Sequence, residues 1–461
     1  MNTPILPQAF INRMKDQLGE EFDSFFASYA DPRLYGLRCN LLKSELASFT
    51  EVMPFSLTGV DWAGEGFYYP EDERPGRHAY HEAGAYYIQE PSAMSAVALL
   101  DPKPGDKVAD LCAAPGGKST QIAARLSGEG LLVTNEIISS RAAVLSSNIE
   151  RLGVRNVLVT NESTDKLATF FPGFFDKILV DAPCSGEGMF RKDETAINEW
   201  SPENVSLCAE RQKEILNNAS RMCRPGGIIV YSTCTFSEAE NEDNVRWFLN
   251  EHPEFSFESS ERLMPHKIKG EGHFVARFVK SCNISCKTGG SAPLNEFKAT
   301  EANRRSKNSK AGNGKSGTAS DADIRKFLTE ECKIAKESVD ALFENSVLNT
   351  FGDNYYLTPT AVSSLKGLTV VRPGLQICKD LKNRLEPSHS LAMSLRPYEV
   401  STMVNLDINN GSKYIEGQTV NCDPNLKGWV CVFINDYSIG WGKASNGILK
   451  NHYPKGLRRV I

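Results

Sequence analysis

Two thiols, an acid and an amine carry the chemistry legible in this chain. Lys177-Ile178-Leu179-Val180-Asp181-Ala182-Pro183-Cys184-Ser185-Gly186 is an apolar run of strand length that stops on an acid, a proline and a thiol. Gly227-Ile228-Ile229-Val230-Tyr231-Ser232-Thr233-Cys234 is built the same way. As parallel strands, the two runs would put Cys184 and Cys234 on one rim of a sheet, where open α/β sheets bind ligands. A free cysteine is by default a small buried hydrophobe, and Cys39, Cys208, Cys223, Cys378 and Cys431 are expected to be that. Cys184 and Cys234 instead enter polar, Gly/Ser-bearing loops. There a nearby cation or a helix N-terminus lowers a thiol's pKa and makes it a nucleophile. Ser237 followed by Glu240 reads as a capping box that starts a helix just after Cys234 and would supply such a terminus.

Asp110-Leu111-Cys112-Ala113-Ala114-Pro115-Gly116-Gly117-Lys118-Ser119-Thr120 follows a strand and opens a helix. Its small residues let a ligand approach the backbone, and the helix start offers free N–H groups. A phosphate-binding P-loop is excluded because Cys112 stands where its first glycine is needed, and Gly-x-Gly-x-x-Gly is absent. Glu136 ends the next strand 20 residues after Gly116, a spacing that suits an acid on ribose hydroxyls. The ligand expected is therefore a nucleoside without a pyrophosphate, and S-adenosylmethionine meets that description.

A methyl donor beside a thiolate suits methylation of cytosine at carbon 5. That carbon is a poor nucleophile until a thiolate adds to carbon 6. Afterwards the carbon-5 proton must leave so that the thiol can depart. Asp181 and Lys118 are expected to orient the base and exchange protons with it, and a second cysteine would help break the covalent link.

The elements around these residues divide the 461-residue chain, which is too long for a single core. Residues 1–75 read as a small N-terminal α+β domain, with helices over Gln8 to Leu18 and Glu21 to Tyr29 and a strand over Tyr35 to Asn40. Residues 76–281 alternate strand and helix, as in a Rossmann-like doubly wound sheet. Pro202 behind Ser201 marks one helix start. Residues 282–320 are rich in Gly, Ser, Asn, Lys and Arg and read as a flexible basic linker. Residues 321–392 form an intermediate domain that includes a strand over Thr369 to Arg372. Residues 393–461 form a compact β unit with a turn at Asn435-Asp436 and a tail carrying Lys443, Lys450, Lys455, Arg458 and Arg459. The hydrophobic fraction is an ordinary 41% and the net charge −5, which excludes a chain basic throughout but not local basic faces. Twelve scattered cysteines fit reduced thiols. Cys282 and Cys286 lack the further ligands of a structural zinc site, so no metal is expected. No run approaches the roughly 20 apolar residues of a membrane helix, and no secretory leader opens the chain. No membrane partner, a cytoplasmic location and a monomeric state are expected.

Taken in order, Ile88-Gln89-Glu90-Pro91-Ser92, the Cys112–Lys118 loop, Asp181 to Gly186 and Ser232-Thr233-Cys234-Thr235 resemble the RsmF/Sun family of S-adenosylmethionine-dependent RNA cytosine-5 methyltransferases. The end of the chain, from Gly440-Trp441-Gly442 to Arg458, looks like the PUA-like RNA-binding module of the RsmF branch. This resemblance implies that the Thr-Cys thiol of Cys234 attacks the base and that Cys184 assists release, whereas the Pro-Cys thiol attacks in cytosine-5 DNA methyltransferases. It further implies that Cys112, Ala113, Ala114, Pro115, Gly116, Gly117, Lys118, Glu136 and Asp181 contact the methyl donor, with Arg141 in support. Ser163 stands where the family usually carries an adenine-binding aspartate, so Ser163 or Asp165 takes that place. Ribosomal RNA of the small subunit is the substrate implied, with Arg191, Lys192 and the basic tail as phosphate contacts. The alternative is an RNA-binding ribosome-assembly factor without catalysis, which intact Cys234, Cys184, Lys118 and Asp181 argue against. DNA methylation is disfavoured by the Thr-Cys motif and the PUA-like end.

Overall fold

Eight strands form the central sheet, in the order Phe255–Leu263, His273–Lys280, Cys223–Thr233, Phe175–Asp181, Lys107–Asp110, Leu131–Asn135, Val157–Thr160 and Val370–Arg372. The five strands from Cys223–Thr233 to Val157–Thr160 run parallel. The structure, a computed structural model, describes residues 5–282, 319–382 and 384–461. The basic segment expected over 282–320 lies outside the described residues except at its ends, and so does Cys286.

Burial on both faces explains why these strands read as continuous apolar runs rather than alternating ones. One face packs Ala109, Val133, Ile178, Val180, Ile229 and Tyr231 against Leu216, Ala219 and Phe248 of the helices Pro202–Met222 and Glu242–Glu251. The other face packs Val108, Leu132, Val159, Leu179 and Val230 against Ile122, Leu126, Leu145 and Ile149 of Gly117–Leu126 and Ser139–Arg151. Each such side chain taken fully out of water contributes about 1.5–3 kcal/mol. Ser201 caps the Pro202–Met222 helix, its Oγ accepting from Asn204 N at 3.1 Å, as the sequence suggested.

Three boundaries differ from the sequence expectation. The N-terminal sheet is ordered Thr58–Val60, Ala63–Tyr69, Tyr35–Cys39, Tyr86–Ile88, so it runs on past residue 75. Val370–Arg372 belongs to the central sheet rather than to its neighbours in sequence, pairing antiparallel with Val157–Thr160. Arg372 secures that strand: its guanidinium donates to Ser146 Oγ at 3.1 Å, to Ser390 Oγ at 3.0 Å and to the Glu150 carboxylate. The third difference concerns the helix after Cys234, which begins at Glu242 behind Asn241 and not at Ser237. The Ser237/Glu240 capping box does not form because the Glu240 carboxylate is taken up elsewhere.

The C-terminal unit is a five-stranded sheet whose Gly428–Ile434 and Tyr437–Ser445 strands turn at Asn435 and Asp436, both at positive φ. Its core is shared: Val432, Ile434, Tyr437 and Ile439 pack with Tyr80 and Tyr86 of the N-terminal unit. Trp429, Phe433 and Trp441 pack with Ile377, Leu391 and Phe343 of the intermediate one.

Replacing Arg372 by Met leaves the half-buried Glu150 carboxylate unpaired. The expected loss is about 2–4 kcal/mol in urea unfolding. An unchanged midpoint would mean that backbone pairing alone holds the edge strand.

Candidate active site

The rim of the sheet is set by register. Asp181 pairs with Ser232 across parallel strands, and Ala182 N donates to Ser232 O at 2.9 Å, so both chains leave the sheet side by side. Cys184 lies three residues beyond Asp181 and Cys234 two beyond Ser232. Their sulfurs meet at 3.2 Å, and Cys234 N donates to Cys184 Sγ at 3.4 Å. The hydrogen bond to Cys234, with burial behind it, pushes the Cys184 thiol well up, so Cys184 keeps its proton. The loops also touch through Gly188, whose N donates to Cys234 O at 2.8 Å. A Cβ at Gly188 would stand 2.9 Å from that oxygen and 3.0 Å from Gly272 O, so only glycine fits there.

Lys118 and Asp181 form a 2.8 Å ion pair, and Ser232 Oγ donates to the other Asp181 oxygen at 2.8 Å. Burial opposes the charge on Asp181, but Lys118, His273 and Ser232 outweigh it and hold the carboxyl below its usual range. Burial likewise opposes the charge on Lys118, and Asp181 outweighs it. One proton of the ammonium is committed to Asp181, which leaves two for a ligand.

The glycine turn lies one strand away. Gly116 adopts φ 112, which favours glycine, and the helix Gly117–Leu126 starts immediately after it. Ala113 N donates to Asn135 O at 2.8 Å. Arg141 donates to Ala114 O at 2.9 Å and lies 3.6 Å from the Glu136 carboxylate. Glu136 also accepts from Ile138 N at 2.9 Å. Cys112 is half-buried, and burial pushes its thiol up, so it lines the turn as a neutral group. Ser163 is exposed and caps the helix Thr164–Phe170 by accepting from Lys166 N at 3.3 Å. Asp165 is 75% exposed and turned to Arg221, 3.1 Å away, which commits its carboxylate to a surface ion pair.

Several residues at the site carried no functional reading in the sequence. Asp110, fully buried, accepts from Ser119 Oγ at 2.6 Å, while its other oxygen has no partner among the described residues. Burial, with Asp181 adding and Ser119 opposing, pushes its carboxyl up to about 7. His273 Nε2 is buried without a hydrogen-bond partner among the described residues, 3.8 Å from Asp181. Arg38 arrives from the N-terminal sheet, donating to Gly117 O at 2.9 Å, Thr120 Oγ1 at 2.8 Å and Gln89 Oε1 at 3.1 Å. Asp110 had a signal, since it ends a strand; His273 and Arg38 had none, because both reach the site only through tertiary packing. Arg191 corrects an expectation. It is buried, with its guanidinium on Glu271 at 2.6 Å and on Ser28 O and Gly270 O, and so is no phosphate contact. In the tail, Arg459 pairs with Glu82 and Arg458 donates to Tyr453 O at 3.3 Å, while Lys443, Lys450 and Lys455 are exposed and make no such bonds among the described residues.

The donor set fits S-adenosylmethionine: a positive-φ glycine at a helix start, the carboxylates of Glu136 and Asp181 for a diol and a cation, and an orphaned Asp110 oxygen. Among the described residues no group of three His, Cys, Asp or Glu side chains is arranged to hold a metal.

His273 ordinarily titrates near 6.5 and is held down to about 4, by burial first and by Lys118 second. Between those values the unfolded chain binds a proton that the folded one refuses, so stability falls as pH drops through this window. His273→Phe is expected to make that fall shallower by about 2 kcal/mol, read from urea unfolding at a series of pH values. An unchanged profile would contradict a neutral buried imidazole.

Comparisons with known proteins agree along the whole chain. Residues 97–279 match the family described as 16S rRNA methyltransferase RsmB/F, and residues 6–91 match the N-terminal domain of 16S rRNA methyltransferase RsmF. Residues 327–395 match the RsmF rRNA methyltransferase first C-terminal domain, and residues 402–459 the methyltransferase RsmF PUA domain. A ribosomal RNA small subunit methyltransferase F of Vibrio vulnificus is 32% identical over 482 residues, 98% of each chain. One from Escherichia coli (strain SE11) is 37% identical over 308 residues, 61% of this chain and 64% of that one. Among solved structures, a methyltransferase homolog protein from Pyrococcus horikoshii superposes with TM-score 0.54 at 28% identity, over 59% of this chain and 95% of that one. NSun6 from the same organism, solved with SFG, has TM-score 0.53 at 22% identity over 59% and 98%, a likeness of fold. By its near full-length relative and the sheet rim that carries its thiols, the chain belongs to the RsmB/F family of 16S rRNA methyltransferases.

Proposed function

We propose that this protein transfers a methyl group from S-adenosylmethionine to carbon 5 of a cytosine in small-subunit ribosomal RNA, acting as a monomer in the cytoplasm. The observation that carries the reading is the pair of sulfurs 3.2 Å apart, on the rim that also holds the Lys118–Asp181 ion pair. Family membership supports the RNA substrate and the methyl donor. No helix among the described residues is long and apolar enough to cross a membrane.

When bound, S-adenosylmethionine supplies an electrophilic methyl group on a sulfonium sulfur. Cys112, Ala113, Ala114, Pro115, Gly116 and Gly117 would hold it at the turn. Glu136 would take the ribose, Arg141 would fix the Ala114 carbonyl, and Ser163 would offer its backbone or hydroxyl to the adenine. Asp181 and Lys118 orient the unstacked cytosine and exchange protons with it; a base in a duplex has to leave the stack to reach them. Cys234 gives up its thiol proton to solvent as its Sγ bonds to carbon 6, which loads electron density onto carbon 5. Release breaks the carbon–sulfur bond as the carbon-5 proton leaves. Cys184, still protonated, gives its proton to the departing Cys234 sulfur and takes up the one from carbon 5, so the two thiols end as they began. The exposed Lys443, Lys450 and Lys455 add sequence-independent attraction for phosphates, which makes binding fall steeply with salt.

With RNA and methyl donor present, Cys184→Ala is expected to accumulate a protein–RNA adduct that survives a denaturing gel, and Cys234→Ala to form none. The reverse pattern would make Cys184 the nucleophile. Bisulfite mapping of ribosomal RNA from cells with and without the protein should show one protected cytosine lost. Asp181→Asn is expected to slow turnover about a hundredfold or more. A rate within about twofold of the parent would remove Asp181 from the chemistry.

A further inference from the structure

Glu240 is fully buried, and among the described residues no cation pairs with it. Its carboxylate accepts four hydrogen bonds from three residues. Oε1 takes Ser185 N at 2.9 Å and Gln212 Nε2 at 3.0 Å; Oε2 takes Ser185 Oγ at 2.5 Å and Thr235 Oγ1 at 3.2 Å. Ser185 follows Cys184 and Thr235 follows Cys234, so one carboxylate grips the residue just beyond each sulfur. The two hydroxyl oxygens lie 2.8 Å apart.

Gln212 completes the grip on Cys184. Its Oε1 accepts from Tyr231 at 3.0 Å and from Asn244 at 2.9 Å, which turns its amide hydrogens toward Glu240 and Pro183 O, 3.0 Å away. The peptide before Cys184 and the peptide after it are thus both anchored to one buried polar cluster. On the other loop, Asn241 Nδ2 donates to Thr235 O at 2.9 Å. Burying a carboxylate without a cation is costly, and stability alone does not call for one here. An apolar residue of similar size would fill the space but hold neither loop.

We infer that Glu240 is a positioning residue for the two-thiol chemistry, its carboxylate locking the Ser185 and Thr235 loops so that the Cys184 and Cys234 sulfurs stay within reach of each other. This deepens the proposed function, yet the geometry is open to test apart from methyl transfer. Full-length protein is treated with diamide, which accepts two electrons and two protons as two thiols join in a disulfide, and the Cys184–Cys234 linkage is timed by peptide mass mapping. Because a disulfide needs the sulfurs at about 2.05 Å, Glu240→Gln is expected to slow linkage at least about tenfold. It should lower kcat on ribosomal RNA about tenfold to a hundredfold and leave KM within about twofold, since the RNA-binding surface is untouched.

If Glu240→Gln fails to fold, Thr235→Val decides; it keeps the carboxylate and removes one hydroxyl from the clamp, with the same direction expected in both assays. Linkage in a folded variant within about twofold of the parent rate, or no linkage in the parent itself, would overturn the inference. Slowed linkage in a protein that methylates no RNA would leave the clamp standing and remove the proposed function instead.

Discussion

The site depends on two parallel strands ending in step. Pairing Asp181 with Ser232 puts neighbouring chains about 4.8 Å apart at the rim. Loops leaving at that spacing have little choice but to touch, and a thiol two or three residues out on each brings sulfur to sulfur. A shift of one residue in this pairing would turn one of the pair to the other side of the sheet. Packing on both faces forbids such a slip, because Ile178 and Val180 are buried on one side and Leu179 on the other. The apolar interior of the domain thereby sets the geometry of polar chemistry at its edge.

Charge at the rim is arranged in the same economical way. Lys118 is buried and Asp181 half-buried, and each keeps its charge because the other is 2.8 Å away. Asp110 lacks such a partner, and burial lifts its carboxyl up to about 7. His273 stays neutral at neutral pH for the same reason. Two kinds of buried group therefore share the site: a matched pair that stays ionised, and unmatched groups that burial pushes toward neutrality.

The surrounding units are built into this arrangement rather than hung on it. Arg38 crosses from the N-terminal sheet to brace the start of the helix behind the glycine turn. The intermediate region lends Val370–Arg372 to the sheet edge, and Glu162, next to Ser163, accepts from Thr369 N at 2.5 Å. The C-terminal sheet packs against both the N-terminal and the intermediate units. A lesion in any of these reaches the thiols only through changes in the position of backbone they support.

Much of this was legible before any coordinates, because strands buried on both faces and helices with caps are local facts. The strands leading into Asp110, Glu136, Cys184 and Cys234 and the Pro202 helix lie where apolar runs and Ser201 put them, and Cys112 to Lys118, Asp181, Cys184 and Cys234 gather on one rim because each sits at or just beyond a strand end. What the sequence could not decide concerned side chains whose partners are distant in the chain. Glu240 has the spacing of a helix cap, yet its carboxylate goes to Ser185, 55 residues away. Arg191 has the look of a surface cation, yet it is neutralised by Glu271 in the interior. Local pattern determines which backbone forms; only the folded chain determines which buried charge meets which partner, since desolvation makes an unmet one too costly to keep.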